Sequence, residues 1–139
     1  MGETGSRNKE RISYLHFDVY MDKLVEMIKN SERFPNLKCI YGIPRGGWPI
    51  AVHLAHHLEL ELIESCSLDS LFRKIPSELL IVDDIADTGK TLKKYDWFAS
   101  ATLYYKRRSV IKPTFYVKET ENWIVFPWER LDEVPNRPE

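Results

Sequence analysis

Two adjacent carboxylates, Asp83 and Asp84, end an apolar run and pass at once into Asp87-Thr88-Gly89-Lys90-Thr91. Those residue types suit a sugar phosphate. Carboxylates accept hydrogen bonds from vicinal hydroxyls or hold a hard cation through oxygen. Outward-pointing amides at a helix start, the hydroxyls of Thr88 and Thr91, and a glycine that lets the backbone come close all suit a phosphate. A second loop, Gly42-Ile43-Pro44-Arg45-Gly46-Gly47, joins two glycines to a guanidinium whose planar fork matches phosphate or diphosphate. Taken singly, the first loop could be a capped helix start and the second a plain glycine turn. Taken together, two anion sites at the ends of two strands could hold both ends of one doubly phosphorylated ligand. Gly89-Lys90-Thr91 also resembles the end of a nucleotide-binding P-loop, but that pattern requires glycine where Asp84 stands.

The elements that must position these loops follow from patterning. Leu79-Leu80-Ile81-Val82 is apolar at every position, as in a parallel strand buried on both faces. Cys39 to Ile43 reads as another strand feeding the glycine loop, followed by a helix from Trp48 to Leu58. Phe17, Tyr20, Leu24, Met27 and Ile28 mark an earlier amphipathic helix, with Asp18 as its N-cap and an end near Asn30. Leu60 to Cys66 and Ala101 to Tyr105 are further strand candidates, Thr88 to Phe98 reads as a helix, and Thr114–Val117 and Trp123–Phe126 read as short extended pieces. Strands alternating with helices imply an α/β fold, with a mostly parallel central sheet flanked by helices and right-handed crossovers. Ligands of such sheets bind beyond the carboxyl ends of the strands, where both loops lie.

Bulk properties narrow the function further. A chain of 139 residues with 43% hydrophobic content supports one domain, expected over residues 12–130, with residues 1–11 disordered and 131–139 an unstructured tail. Twenty basic residues against 21 acidic ones give no global field that would favour nucleic acid or a membrane surface. Two cysteines, Cys39 and Cys66, do not make a disulfide framework, which points to a reduced, cytoplasmic setting. No apolar stretch reaches the roughly 18 residues of a membrane helix, and the polar start is unlike a signal peptide.

The two loops resemble the type I phosphoribosyltransferases. Leu80 to Leu92 is similar to that family's fingerprint for 5-phosphoribosyl-1-diphosphate, and Gly42 to Gly47 to its diphosphate loop. Tyr104-Tyr105-Lys106 and Asn122 to Glu129 resemble the purine-binding elements of the xanthine-guanine and hypoxanthine branch, so the likeness runs from Phe17 to Glu129. The resemblance implies that Asp83 and Asp84 meet the ribose hydroxyls directly or through Mg²⁺, and that Ala86, Asp87, Thr88, Gly89, Lys90 and Thr91 bind the 5′-phosphate. Arg45, Gly46 and Gly47 would hold the diphosphate, with a cis peptide between Pro44 and Arg45. Asp87 would serve as general base toward the reacting nitrogen. On the acceptor side, Lys106 would donate to a 6-oxo group, Trp123 would stack on the purine, Ile124 would read its edge through the backbone, and Glu129 would stand beside the pocket. The implied reaction displaces diphosphate at the anomeric carbon, with inversion, through a transition state resembling an oxocarbenium ion, in purine salvage. Homodimers or homotetramers are common among such enzymes.

One departure from the family pattern concerns Ser67 to Ser77, which occupies the place of a long mobile loop that closes over the site in relatives. Arg73 and Lys74 within it could still reach the diphosphate. A short cover implies weaker shielding from water. Two rival readings remain at this stage: a non-catalytic regulator that keeps the cradle, and an enzyme acting on another base. His53 and His57 share a helical face as metal ligands can, though no glutamate or cysteine is suitably placed beside them. Trp128 reads as core, and Arg107 and Arg108 as a solvated strand end.

Overall fold

The computed structural model describes residues 8–64 and 67–130. In chain order the elements are β1 (Lys9–Arg11), α1 (Tyr14–Lys29), β2 (Cys39–Gly42), α2 (Gly47–Leu58), β3 (Glu61–Ile63), α3 (Leu68–Phe72), β4 (Leu79–Val82), β5 (Ile85–Ala86), α4 (Lys90–Lys93), β6 (Ala99–Tyr105), β7 (Phe115–Glu119) and β8 (Trp123–Val125). Short 3₁₀ turns at Phe34–Asn36 and Pro76–Glu78 precede β2 and β4. The main sheet runs β3-β2-β4-β6, with β5 and β7 also pairing with β6, and β1 and β8 form a separate two-stranded ladder. Among the described residues every strand pairing is parallel.

The β4 residues are all fully buried, as their unbroken apolar run requires. Leu80 and Val82 join the apolar layer that α1 and α2 cover, while Leu79 and Ile81 join the opposite layer with Leu71, Leu92 and Phe98. Burial of both faces leaves no room for a charge until the strand ends, which places Asp83 and Asp84 at its carboxyl edge.

Helix α1 starts earlier than the apolar spacing suggests. Ser13, not Asp18, is its N-cap, with Oγ accepting the His16 N–H at 3.0 Å, so Phe17 lies inside the helix. Its buried stripe is Phe17, Met21, Leu24, Val25 and Ile28, and Asn30 is the C-cap as expected. The expected helix over Thr88 to Phe98 shrinks to Lys90–Lys93. Beyond it the chain continues in three-residue turns, with Tyr95, Asp96 and Phe98 donating to Leu92, Lys93 and Tyr95. Phe98 stacks on Phe72 at 5.7 Å and β6 begins at the next residue, so packing tightens the chain before a second helical turn can form.

Two terminal expectations also change. Lys9–Arg11 is ordered, because it pairs with Trp123–Val125, a partner no local pattern reveals; residues 1–7 and the expected tail at 131–139 lie outside the described residues. The strand expected from Leu60 to Cys66 is Glu61–Ile63, with Ser65 and Cys66 also outside them. No helix among the described residues is long and apolar enough to cross a membrane.

Between α1 and α2, His53 meets Phe17 edge-on at 6.1 Å and stacks on His57 at 4.3 Å. Burial, and then the neighbouring His57, push its pKa below the usual histidine value, against a smaller opposing pull from Asp18 and Asp22. The unfolded chain therefore binds a proton here more readily than the folded one, and stability falls as pH drops through about 6.5 toward the folded value. Urea midpoints measured from about pH 8 to about pH 5 are expected to decline, and His53→Gln is expected to flatten part of that decline.

Candidate active site

The strand β4 does not simply end at Asp83. Leu80–Val82 pair with Ala99–Ala101 of β6, and Ile85–Ala86 pair with Tyr104–Tyr105 of the same strand, so β4 and β5 are one line of chain interrupted by two aspartates. At the interruption Asp83 Oδ1 accepts the Asp84 N–H and Asp84 Oδ1 accepts the Ile85 N–H, each at 2.8 Å. The Asp84 carbonyl takes both Leu103 N–H at 3.1 Å and Tyr104 N–H at 3.3 Å, a shared bond that interrupts the ladder without shifting its register. Asp84 is buried and Asp83 half-buried. Nearby, burial, then Tyr41, and then the Asp83 carboxylate hold the Tyr95 phenol above its usual pKa, so it stays a hydroxyl donor.

The glycine loop closes against this junction. The Pro44–Arg45 peptide is cis, as expected. Ile43 N–H donates to the Val82 carbonyl at 2.8 Å, and Gly47 N–H donates to Ile43 at 2.9 Å. A Cβ on Gly46 would stand 2.4 Å from Asp84 Oδ2, and one on Gly47 2.4 Å from the Val82 carbonyl oxygen. The two loops therefore form one wall, with the exposed Arg45 at its rim.

Beyond β5 the chain turns through Thr88 and Gly89. Gly89 has φ +84°, a left-handed conformation that disfavours a side chain, and a Cβ there would meet Ser109 Oγ at 2.2 Å. Lys90 N–H approaches Thr88 Oγ1 at 3.4 Å, and Val110 N–H donates to the Thr88 carbonyl at 2.8 Å. Because α4 is one turn long, a phosphate here would depend on loop amides and threonine hydroxyls far more than on a helix dipole.

Asp87 is buried beside two cations. Its Oδ1 accepts from Arg108 Nε at 2.9 Å and from Arg108 Nη2, and lies 3.5 Å from Lys106 Nζ. Lys106 is itself buried, its N–H bonded to the Ala86 carbonyl at 2.9 Å. Strand β7 runs beside β6 until Glu119 stands opposite Tyr105, and the chain then turns through residues 120–122 into β8. Trp123 N–H donates to Asn8 and the Val125 carbonyl accepts from Ile12, so strand alternation turns the Ile124 N–H and C=O toward the opposite edge. The Ile124 side chain is buried, and Trp123 is half-buried.

Over 115 residues the chain is 29% identical to a xanthine-guanine phosphoribosyltransferase of Cereibacter sphaeroides, covering 66% of this chain and 69% of that protein. It is 26% identical over 120 residues to the corresponding protein of Roseobacter denitrificans, covering 66% and 68%. A purine phosphoribosyltransferase structure from Pyrococcus horikoshii matches 92% of this chain and 99% of its own, with a TM-score of 0.71 and 28% identity. In sequence and in fold the chain is similar to the type I phosphoribosyltransferases. No family model matches it. A xanthine-guanine-hypoxanthine phosphoribosyltransferase structure from Helicobacter pylori shares the fold, with a TM-score of 0.70 at 23% identity over 88% of this chain and 94% of its own.

Of the residues anticipated from the sequence, Gly46 and Gly47 meet the junction at Asp83 and Asp84, and Asp87 meets Lys106. Glu129 also has a part in the chain's own folding. Its Oε1 accepts the Phe126 N–H at 3.0 Å and its own N–H donates to the Phe126 carbonyl at 2.9 Å, so it closes a turn. Trp128 stacks on Phe126 at 5.2 Å and meets Phe17 edge-on, a packing role. Arg108, read from sequence as a solvated strand end, is the residue that was missed. The three-residue basic run Lys106-Arg107-Arg108 was its only signal, and nothing in it distinguishes Arg108 from Arg107, which pairs with Glu119 at 3.0 Å.

Proposed function

We propose that this phosphoribosyltransferase moves the phosphoribosyl group of 5-phosphoribosyl-1-diphosphate to a 6-oxopurine, hypoxanthine, guanine or xanthine, and releases diphosphate. One observation carries the choice of acceptor: a buried carboxylate, Asp87, and a buried ammonium, Lys106, stand 3.5 Å apart. An imidazole-ring N–H beside a 6-oxo oxygen presents the complementary pair, a donor and an acceptor along one edge of the purine. Lys106 would donate to the oxygen and Asp87 would take the ring proton, which raises electron density on the other imidazole nitrogen for attack at the anomeric carbon. Trp123 would cover the ring face and the Ile124 backbone the remaining edge. Thr88, Gly89, Lys90 and Thr91 would hold the 5′-phosphate, while Arg45, Gly46 and Gly47 would hold the diphosphate as negative charge grows on it.

Asp83 and Asp84 suit Mg²⁺, a hard cation usually held by one or two carboxylates together with substrate phosphates. When bound it would supply neutralisation of the diphosphate. Purine salvage in the cytoplasm, by a homodimer or homotetramer, completes the reading.

The test is diphosphate and nucleotide formation from 5-phosphoribosyl-1-diphosphate with a panel of bases, run with Mg²⁺ and with a chelator. Turnover is expected with 6-oxopurines, and only when Mg²⁺ is present. Turnover confined to adenine or a pyrimidine would reassign the acceptor, and saturable substrate binding without turnover on any base would favour a regulatory protein.

A further inference from the structure

We propose, resting on the assignment of Asp87 as base, that Arg108 withholds the Asp87 carboxylate until a purine arrives and so suppresses hydrolysis of 5-phosphoribosyl-1-diphosphate. The competing reaction is simple. Water oxygen bonds to the anomeric carbon, the bond to the diphosphate oxygen breaks with its electron pair on diphosphate, and the water proton passes to a nearby carboxylate. The products are ribose 5-phosphate and diphosphate. With the base site empty, a carboxylate one imidazole ring away from the anomeric carbon can take the proton of an attacking water through a second water, and exclusion of water is the usual remedy.

Among the described residues the segment expected to cover the site is short. The segment after β3 provides the five-residue helix Leu68–Phe72 and a 3₁₀ turn, with Arg73 and Lys74 exposed. Arg108 offers a different remedy. Oδ1 of Asp87 faces two Arg108 donors and the Lys106 ammonium, so its lone pairs are directed at protein cations. The two cations differ in freedom. Side-chain exposure is 6% for Lys106 and 11% for Asp87, but 52% for Arg108. A half-exposed guanidinium is held weakly against solvent and can leave at little cost, whereas Lys106 cannot.

The backbone that carries Arg108 is fastened to Lys106 and to the loop assigned to the 5′-phosphate. Ser109 N–H donates to Lys106 at 2.9 Å, Val110 N–H to Thr88 at 2.8 Å, and Ser109 Oγ sits against Gly89. Only the side chain is left to move. An incoming 6-oxopurine brings its own N–H for Asp87 and an oxygen for Lys106, replacing the contact that Arg108 gives up.

The experiment measures ribose 5-phosphate and nucleotide together, in the parent, Arg108→Gln and Arg108→Lys, with 5-phosphoribosyl-1-diphosphate, Mg²⁺ and a turned-over purine. Arg108→Gln is expected to raise the ratio of ribose 5-phosphate to nucleotide roughly tenfold, a modest share of what a positioned base contributes. Arg108→Lys is expected to restore most of the parent ratio, and Asp87→Asn added to Arg108→Gln to abolish the gain in the rate of ribose 5-phosphate formation itself. An unchanged ratio in Arg108→Gln, or a parallel loss of both products, overturns the proposal while leaving the acceptor assignment standing. A parent that forms no nucleotide from any base overturns both.

Discussion

Asp87→Asn is expected to lower kcat by about 10²–10³-fold, within the range a positioned general base supplies, while changing affinity for 5-phosphoribosyl-1-diphosphate by no more than about threefold. Asparagine keeps the volume of the side chain and an oxygen for the Arg108 guanidinium, so the pocket need not collapse. It cannot take up the ring proton of a purine. The charge it removes does matter to the fold, because Lys106 is buried at 6% side-chain exposure and loses its carboxylate partner. Removing one member of a buried pair costs about 3–5 kcal/mol when no water reaches the other, so a lower urea midpoint is expected alongside the kinetic loss. Steady-state kinetics paired with calorimetry of substrate binding separates these effects. Equal losses in turnover and in substrate binding would make Asp87 a structural residue.

Gly47→Ala is expected to weaken binding of 5-phosphoribosyl-1-diphosphate by about 10²-fold, the penalty typical of a displacement of about 1 Å in a positioned site. The added Cβ would stand 2.4 Å from the Val82 carbonyl oxygen and 3.2 Å from Asp83 Cα. Both are backbone atoms, so no rotamer change relieves the clash and the start of α2 must back away from the end of β4. Separation of that contact pulls the diphosphate loop from the aspartate junction, so the two halves of the ligand site lose register. Overpacking of this kind costs about 1–3 kcal/mol, which a denaturant midpoint reports. Gly46→Ala meets a side-chain atom instead, Asp84 Oδ2, and is expected to disturb that carboxylate more than the fold. Retention of full affinity in Gly47→Ala would mean that the loops do not grip one ligand together.

What could be read from the sequence was local. Leu79–Val82 declared a doubly buried strand through four apolar residues in succession, and the glycines beside Arg45 declared a close backbone approach, which the Val82 carbonyl and Asp84 carboxylate supply. Asp83 and Asp84 were legible as residues at a strand end. That the strand resumes at Ile85 was not, because its partners Tyr104 and Tyr105 come from a strand far along the chain. Ser13 escaped notice as a cap because the apolar stripe starts four residues later, at Phe17. The role of Glu129 in closing a turn and the reach of Arg108 to Asp87 both depend on backbone paths that composition cannot encode.

The ladder of β1 with β8 sets the two halves of the site on unequal footings. The phosphoribosyl half is built on strands buried inside a six-stranded sheet, whereas Trp123 and Ile124 rest on three paired residues at the margin. Native proteins open first where few buried contacts secure the backbone. With Ile12, Ile124 and Phe126 anchored in the main core, that margin is expected to fray locally while the central strands stay folded, and on the proposed assignment base affinity would include the free energy of closing those three pairs. Amide exchange would register that division as fast protons along Trp123–Val125 beside slow ones in Leu79–Val82.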